Sequence, residues 1–213
     1  MTESSTFGQL LALLVHDLRN PAATLTANVD FLEESVRGDA DAEEALMDLR
    51  TALRDLRSGL TRVGWIADGL IGRGGAQLRD GDAAGPIESR FENVTLEGSD
   101  FRARGGASIA DVVEIFVENG MRHDRALPRI LVREEGDGVR IVVDGAGEPM
   151  DASFRDQAFT IEGQDAIKGQ RGGRYARFAG LVAARAYVEG LGGSLEASEH
   201  EGQARTIIHL PRP

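Results

Sequence analysis

Six consecutive residues, His16-Asp17-Leu18-Arg19-Asn20-Pro21, bring together groups able to handle a phosphoryl group. A neutral, exposed imidazole is a nucleophile toward phosphorus. A carboxylate beside it can orient or deprotonate its other nitrogen, and an amide one helical turn on can position water or phosphoryl oxygens. A lone histidine on a helix is ordinarily just a surface residue. In a chain with four histidines, however, the pattern His, acid, aliphatic, base, Asn or Thr, Pro arises by chance about once in 10⁴ sequences. A second candidate is Asp144-Gly145-Ala146-Gly147-Glu148-Pro149-Met150, which reads either as a strand-ending turn or as a loop approaching a ligand. A third is the basic run Lys168, Arg171, Arg174 and Arg177 beside Gly172-Gly173. It reads as a solvated lid, with a rearranged phosphate site as the alternative.

The elements that must position these residues follow from periodicity. Leu11, Leu14, Leu18, Leu25, Val29, Leu32 and Val36 keep one helical face apolar, which predicts one long helix over about 7–37. On it His16 lies about 140° from Leu11 and about 160° from Leu14 and Leu18, so it faces solvent in mid-helix. Pro21 removes one backbone hydrogen bond and predicts a kink just beyond the histidine. Gly38-Asp39-Ala40-Asp41 is the turn, and Leu46, Leu49, Leu53, Leu56, Leu60, Val63, Ala67 and Leu70 form a coiled-coil-like seam on a second helix. Two such stripes are too long for a pair of helices to bury, so a homodimer closing a four-helix bundle is expected. The Gly-rich stretch 73–86 reads as a linker between a hairpin, 1–72, and a second domain, 87–213. In the latter, Arg90–Leu96, Arg129–Glu134, Val139–Asp144, Ser194–Ala197 and Arg205–Leu210 read as strands. Ser108–Met121 and about Tyr175–Glu189 read as helices, and Gly147–Arg174 as a loop-rich lid with one short helix, Ala152–Phe159. The fold class is α+β, with a helix layer on one face of a sheet.

Composition narrows the function classes. With 24 Lys and Arg against 35 Asp and Glu, the net charge of −11 opposes binding to a phosphate backbone, so no nucleic acid is expected as partner. The longest unbroken apolar run, Leu10–Val15, is six residues, which predicts no membrane insertion. The first residues have no basic start and no signal-type apolar core, and there is no cysteine, so a cytoplasmic location is expected.

The His16–Pro21 segment resembles the phosphoacceptor box of the two-component sensor histidine kinases, and the likeness extends over nearly the whole chain. The hairpin resembles that family's dimerisation and histidine phosphotransfer domain, and residues 87–213 resemble its ATP-binding domain, an α/β sandwich. The resemblance implies that Asp17 acts as base and that Asn20 assists dephosphorylation of a partner. It also implies that Asn119 holds Mg²⁺ and phosphate and that Asp144, Gly145 and Gly147 contact the nucleotide. Yet the second domain departs from the pattern. Ile115 stands for the first asparagine of the Asn box, and the first glycine box is one residue short, which puts Val143 where the adenine-reading acid belongs. Of the second glycine box, aligned to Ala176-Arg177-Phe178-Ala179-Gly180, only Gly180 survives. Backbone amides cradle phosphate where no side chain blocks them, so Phe178 there predicts weak or absent ATP binding.

The expected function is therefore a phosphorelay protein, a histidine phosphotransferase rather than an autophosphorylating kinase. His16 exchanges a phosphoryl group with aspartates of response-regulator receiver domains, and Mg²⁺ comes mainly with the receiver. The alternatives are an active ATP-dependent histidine kinase without its own sensor, resting on Asn119 and Asp144, and a non-catalytic dimeric signalling scaffold.

Overall fold

A computed structural model describes residues 3–70, 80–124, 127–145, 155, 157, 159–163 and 178–213. The chain divides into two compact units, Met1–Ile71 and Gly72–Pro213.

The first unit is an antiparallel hairpin of α1 (Glu3–Ser35) and α2 (Ala40–Leu70), close to the lengths that periodicity predicts. α1 runs through Pro21 as one element. Asp39 begins α2 by accepting from the Ala42 N–H at 3.2 Å, and Glu43 reaches back to the Gly38 N–H at 2.9 Å. These bonds satisfy donors that a helix start leaves without partners. Near the turn, Arg50 donates to both oxygens of Glu33, at 2.8 and 3.1 Å, and to Asp30 at 3.2 Å, bridging the two helices at their exposed edge. The seam between them is thinner than the leucine stripes suggest. Val15, Ala22 and Val29 of α1 and Leu46, Leu60 and Ala67 of α2 are buried, while Leu14, Leu18, Leu25, Leu32, Leu49 and Leu56 are exposed.

The second unit is an α/β sandwich. Its elements are β1 (Gly81–Asp82), α3 (Ala84–Arg90), β2 (Val94–Glu97), β3 (Arg102–Ala103), α4 (Ile109–Asp124), β4 (Arg129–Glu135), β5 (Gly138–Asp144), α5 (Phe178–Gly190), β6 (Ser194–His200) and β7 (Gln203–Pro211). The main sheet has the order β2-β4-β5-β7-β6, with β2 and β4 parallel and the other pairs antiparallel. The registers Val132↔Ile141↔Ile208 and Ile130↔Val143↔Thr206 put Ile130, Val132, Val139, Ile141, Val143, Thr206, Ile208 and Leu210 on one face, all of them buried. Period-two alternation in three adjacent strands makes that face continuous. Helices supply the other half of the core: Val112, Val113 and Phe116 of α4, and Ala183, Ala184 and Val188 of α5, are buried.

Two expectations need correction. The strand expected over Arg90–Leu96 is shorter and later, because Arg90 ends α3 and the strand begins at Val94. Helix α3 itself lies in a stretch without apolar periodicity. It is started by Asp82, whose two carboxylate oxygens accept from the Ala84 and Gly85 N–H groups at 3.1 and 2.8 Å. Of the stretch read as linker, 73–79 lies outside the described residues, while Gly81–Asp82 pairs with Arg102–Ala103.

Gly105, at φ 65°, turns the chain into α4 and brings its carbonyl to Tyr187 of α5, whose hydroxyl donates to it at 3.1 Å. Burial pushes the Tyr187 hydroxyl up to about 12, against which a hydrogen bond with Ser108 acts. Below about pH 10 the tyrosine is neutral folded or unfolded. Above that the unfolded chain ionises first, so this contribution to stability is lost as pH rises from about 10 to about 12. The Tyr187→Phe variant is expected to lose about 1 kcal/mol in urea denaturation at neutral pH. It is also expected to lack the tyrosine component of the alkaline decline.

Candidate functional site

The site is assembled on α1. His16 and Asp17 are both largely exposed, and Nδ1 of His16 lies 3.4 Å from Oδ1 of Asp17. That distance is at the outer edge of a hydrogen bond, so the carboxylate biases the imidazole toward the Nδ1–H tautomer and leaves Nε2 to solvent. Arg19 and Asn20, three and four residues on, share the histidine's side of the helix, and both are exposed. Pro21 has no N–H to give the carbonyl of Asp17, its partner four residues back, so an acceptor beside the imidazole is left to water.

The contacts to α2 orient this flank. Val15, Ala22 and Val29 mark the α1 face turned toward α2. At about 100° per residue, Leu14, Leu18, Leu25 and Leu32 lie about 40–80° to one side of that face. His16, Arg19, Asn20 and Ala23 lie about 60–160° to the other. A Cβ at Gly64 of α2 would come within 3.3 Å of an Arg19 guanidinium nitrogen and 3.8 Å of Val15, so Arg19 lies across the helix at a position that has no side chain. Sequence reading passed over Gly64. A glycine in a helix interior costs about 1 kcal/mol against alanine, and that cost was the available signal.

In the second unit the expected ligand-binding residues are dispersed among other partners. Asn119 is half-buried on α4, one turn beyond Ile115, which is buried. Asp144, at the end of β5, is gripped by Arg205 of β7: Nε donates to Oδ1 at 2.5 Å and a terminal nitrogen to Oδ2 at 3.0 Å. The same ion pair holds the Arg205 guanidinium above its ordinary value. Val143 is fully buried. Gly145, at φ 83°, donates its N–H to the Ala204 carbonyl at 3.0 Å, so the strand-ending turn accounts for it without a ligand. Gly147, most of the Ala152–Phe159 helix, and the basic run Lys168, Arg171, Arg174 and Arg177 lie outside the described residues, and nothing is described of the Phe178 side chain. Of the lid segment, Phe159 is buried with its ring edge-on to Phe116 at 6.3 Å, and Arg155 pairs with Glu199 of β6 at 2.9 Å.

Both oxygens of Asp144 thus accept from one guanidinium, and Ile115 presents hydrocarbon at the position where the resemblance expects an amide. Among the described residues there is no cluster of three or more His, Cys, Asp or Glu able to hold a metal ion, and no helix long and apolar enough to cross a membrane.

No protein-family model matches the chain, and no curated protein sequence does. Solved structures do. Full-length ShkA in complex with AMPPNP superposes with a TM-score of 0.57 at 17% identity, over 95% of this chain and 45% of that one. Histidine kinase ThkA in complex with response regulator protein TrrA gives 0.54 at 15% identity, over 98% of this chain and 63% of that one. The chain thus spans under half the length of the first and under two thirds of the second. It has the fold of the histidine kinases, a helical hairpin followed by an α/β domain of their ATPase type.

Proposed function

We propose that this protein is a cytoplasmic histidine phosphotransfer protein of a two-component relay, working as a homodimer. The observation that carries this reading is an imidazole exposed in mid-helix, backed on Nδ1 by Asp17 and open on Nε2. The Nε2 lone pair forms the N–P bond in line as the P–O bond to a receiver's aspartate breaks, and the carboxylate departs with the electron pair. The Nδ1–H remains toward Asp17, whose negative charge stabilises the cationic phosphoimidazole. That form is also the better leaving group when a second receiver's carboxylate takes the phosphoryl group. Asn20 stands one turn away, placed to hydrogen-bond phosphoryl oxygens or water. Catalysis of this kind is chiefly positioning and charge stabilisation, and in this reading Mg²⁺ belongs to the receiver's own acidic site.

Two further observations support the reading. The exposed Leu14, Leu18, Leu25 and Leu32, with Leu49 and Leu56, offer a second copy the apolar flank it needs to complete a four-helix bundle, on the side away from His16. In the second unit, the Asp144–Arg205 pair and the buried Ile115 disfavour a nucleotide donor, so the phosphoryl group comes from a partner. The likeness to ThkA, solved with a response regulator, points to a receiver domain as that partner.

The test is to offer the purified protein radiolabelled phosphoryl groups from two sources: ATP with Mg²⁺, and a panel of receiver domains charged with labelled acetyl phosphate. The expected result is acid-labile label from at least one receiver and none from ATP. Label from ATP overturns the reading in favour of a kinase. Label from neither source, in protein that phosphoramidate still phosphorylates, leaves a scaffold.

A further inference from the structure

Helix α2 carries glycines in its interior, where that residue weakens a helix relative to alanine. Their surroundings differ. A Cβ added at Gly59 would meet nothing within 4 Å, so no contact accounts for that glycine. A Cβ added at Gly64 would stand 3.3 Å from the Nη2 atom of Arg19 and 3.8 Å from Cγ1 of Val15. The first of these is closer than an ordinary van der Waals contact, and a longer side chain would fill the place that the guanidinium takes. Among the described residues no carboxylate pairs with Arg19, so its cation lies against bare α2 backbone rather than in an ion pair.

That placement bears on the residue one turn back. From the α1 face turned to α2, Arg19 lies about 60° around the helix and His16 about 120°, on the same side. Side chains three apart on a helix are neighbours, with about 5–6 Å between Cβ atoms, so an arginine at liberty to change rotamer reaches a phosphoryl group on His16. Seated at Gly64, the guanidinium is turned inward to α2 while the exposed imidazole stands outward. The difference matters when the phosphoryl group leaves. The N–P bond breaks with its electron pair staying on Nε2, and an oxygen of water or of an acceptor carboxylate forms the new P–O bond, water's proton going to solvent. In a loose, metaphosphate-like transition state the phosphoryl oxygens carry less negative charge than in the bound group. A cation resting on those oxygens therefore favours the bound group and slows its departure.

We propose that Gly64 is a positioning residue for His16: the gap left by its missing side chain seats the Arg19 guanidinium on α2, off the phosphoryl group, and so keeps that group transferable. The inference rests on the phosphotransfer reading, in which His16 gives up its phosphoryl group as readily as it receives it, and adds the residue that sets how long the group stays.

The experiment labels full-length protein at His16 with phosphoramidate, removes the donor, and follows the loss of acid-labile label at neutral pH. The proteins are the wild type, Gly64→Leu, Gly64→Ala and Gly59→Ala, each also combined with Arg19→Met. Gly64→Leu, which fills the seat, is expected to lengthen the half-life of phospho-His16 by about 3-fold or more, and Gly64→Ala by about twofold, the range for an exposed charge-assisted pair. Gly59→Ala should leave the half-life at the wild-type value. Both alanine variants should raise the melting temperature of the hairpin, since each removes a glycine from a helix interior, so a longer half-life confined to Gly64 does not follow from stability. In the Arg19→Met background Gly64→Leu should have no effect on the half-life, a coupling that a general loosening of the hairpin does not produce. If circular dichroism shows that Gly64→Leu does not fold, the comparison of Gly64→Ala with Gly59→Ala decides. A Gly64→Leu half-life less than about 1.5-fold that of the wild type, or equal lengthening with and without Arg19, overturns the seat while phosphotransfer stands. Charging of His16 by a receiver is read separately, and its failure overturns the phosphotransfer reading without altering the half-life comparison. Wild-type protein that phosphoramidate does not label at His16 overturns both.

Discussion

Replacing His16 by Gln is expected to abolish acid-labile phosphoryl uptake from a charged receiver, to below about one thousandth of the wild-type rate. Glutamine keeps a polar, helix-compatible side chain at an exposed position, so the hairpin should be unchanged in circular dichroism, but no nitrogen lone pair of comparable basicity remains. Asp17→Asn separates nucleophile from helper. Removing an orienting carboxylate while the imidazole stays should slow uptake by about 10²-fold, within the range for a single positioned acid–base group. Rapid-quench measurement of phospho-His16 distinguishes the two variants, since the Asn variant still accumulates label, more slowly and to a lower final level, whereas the Gln variant accumulates none. Equal, full uptake by His16→Gln would place the acceptor elsewhere in the chain and remove the basis of the proposed function.

Truncating Phe116 to Ala is expected to destabilise the second unit by about 3–5 kcal/mol, a drop in its melting temperature of about 10 °C or more. Phe116 is 1% exposed at the centre of α4 and meets the ring of Phe159 edge-on, so its loss leaves a cavity lined by two elements. The chain reports this site-selectively. Its one tryptophan, Trp65, lies in α2, whereas both tyrosines, Tyr175 and Tyr187, lie in the second unit. The transition seen by tryptophan fluorescence should stay in place while the near-ultraviolet tyrosine signal melts early. Movement of both transitions together would show that the two units unfold as one.

Most of the secondary structure was legible because it follows from local pattern. Spacings of three and four residues produced two helices of nearly the right length, and period-two runs located β4, β5 and β7 within one or two residues. The exposure of His16 followed from its angle to the leucines. Helix α3 was missed because it has no apolar period, and its start depends on Asp82, whose place is set by β1 pairing with β3. The leucine stripes were read correctly as more than a hairpin can bury, but which side chains meet across it depends on how the two helices rotate, and those are Val15, Ala22 and Val29 rather than the leucines beside them.

By itself the sequence determined the residue types, the helix that carries His16, Asp17 and Asn20, and the side of that helix on which His16 stands, because all of these are fixed by spacings of a few residues. The tertiary structure decided what is joined by distance. Asp144 meets Arg205, 61 positions away, only because β5 and β7 are neighbours in register. Arg19 lies over Gly64 only because α2 returns antiparallel at one register, the one in which Val15, Ala22 and Val29 are buried with Leu46, Leu60 and Ala67. No local period encodes such pairings. They follow from burying the β-sheet face and the hairpin seam, which brings residues far apart in the chain to a few ångströms of one another.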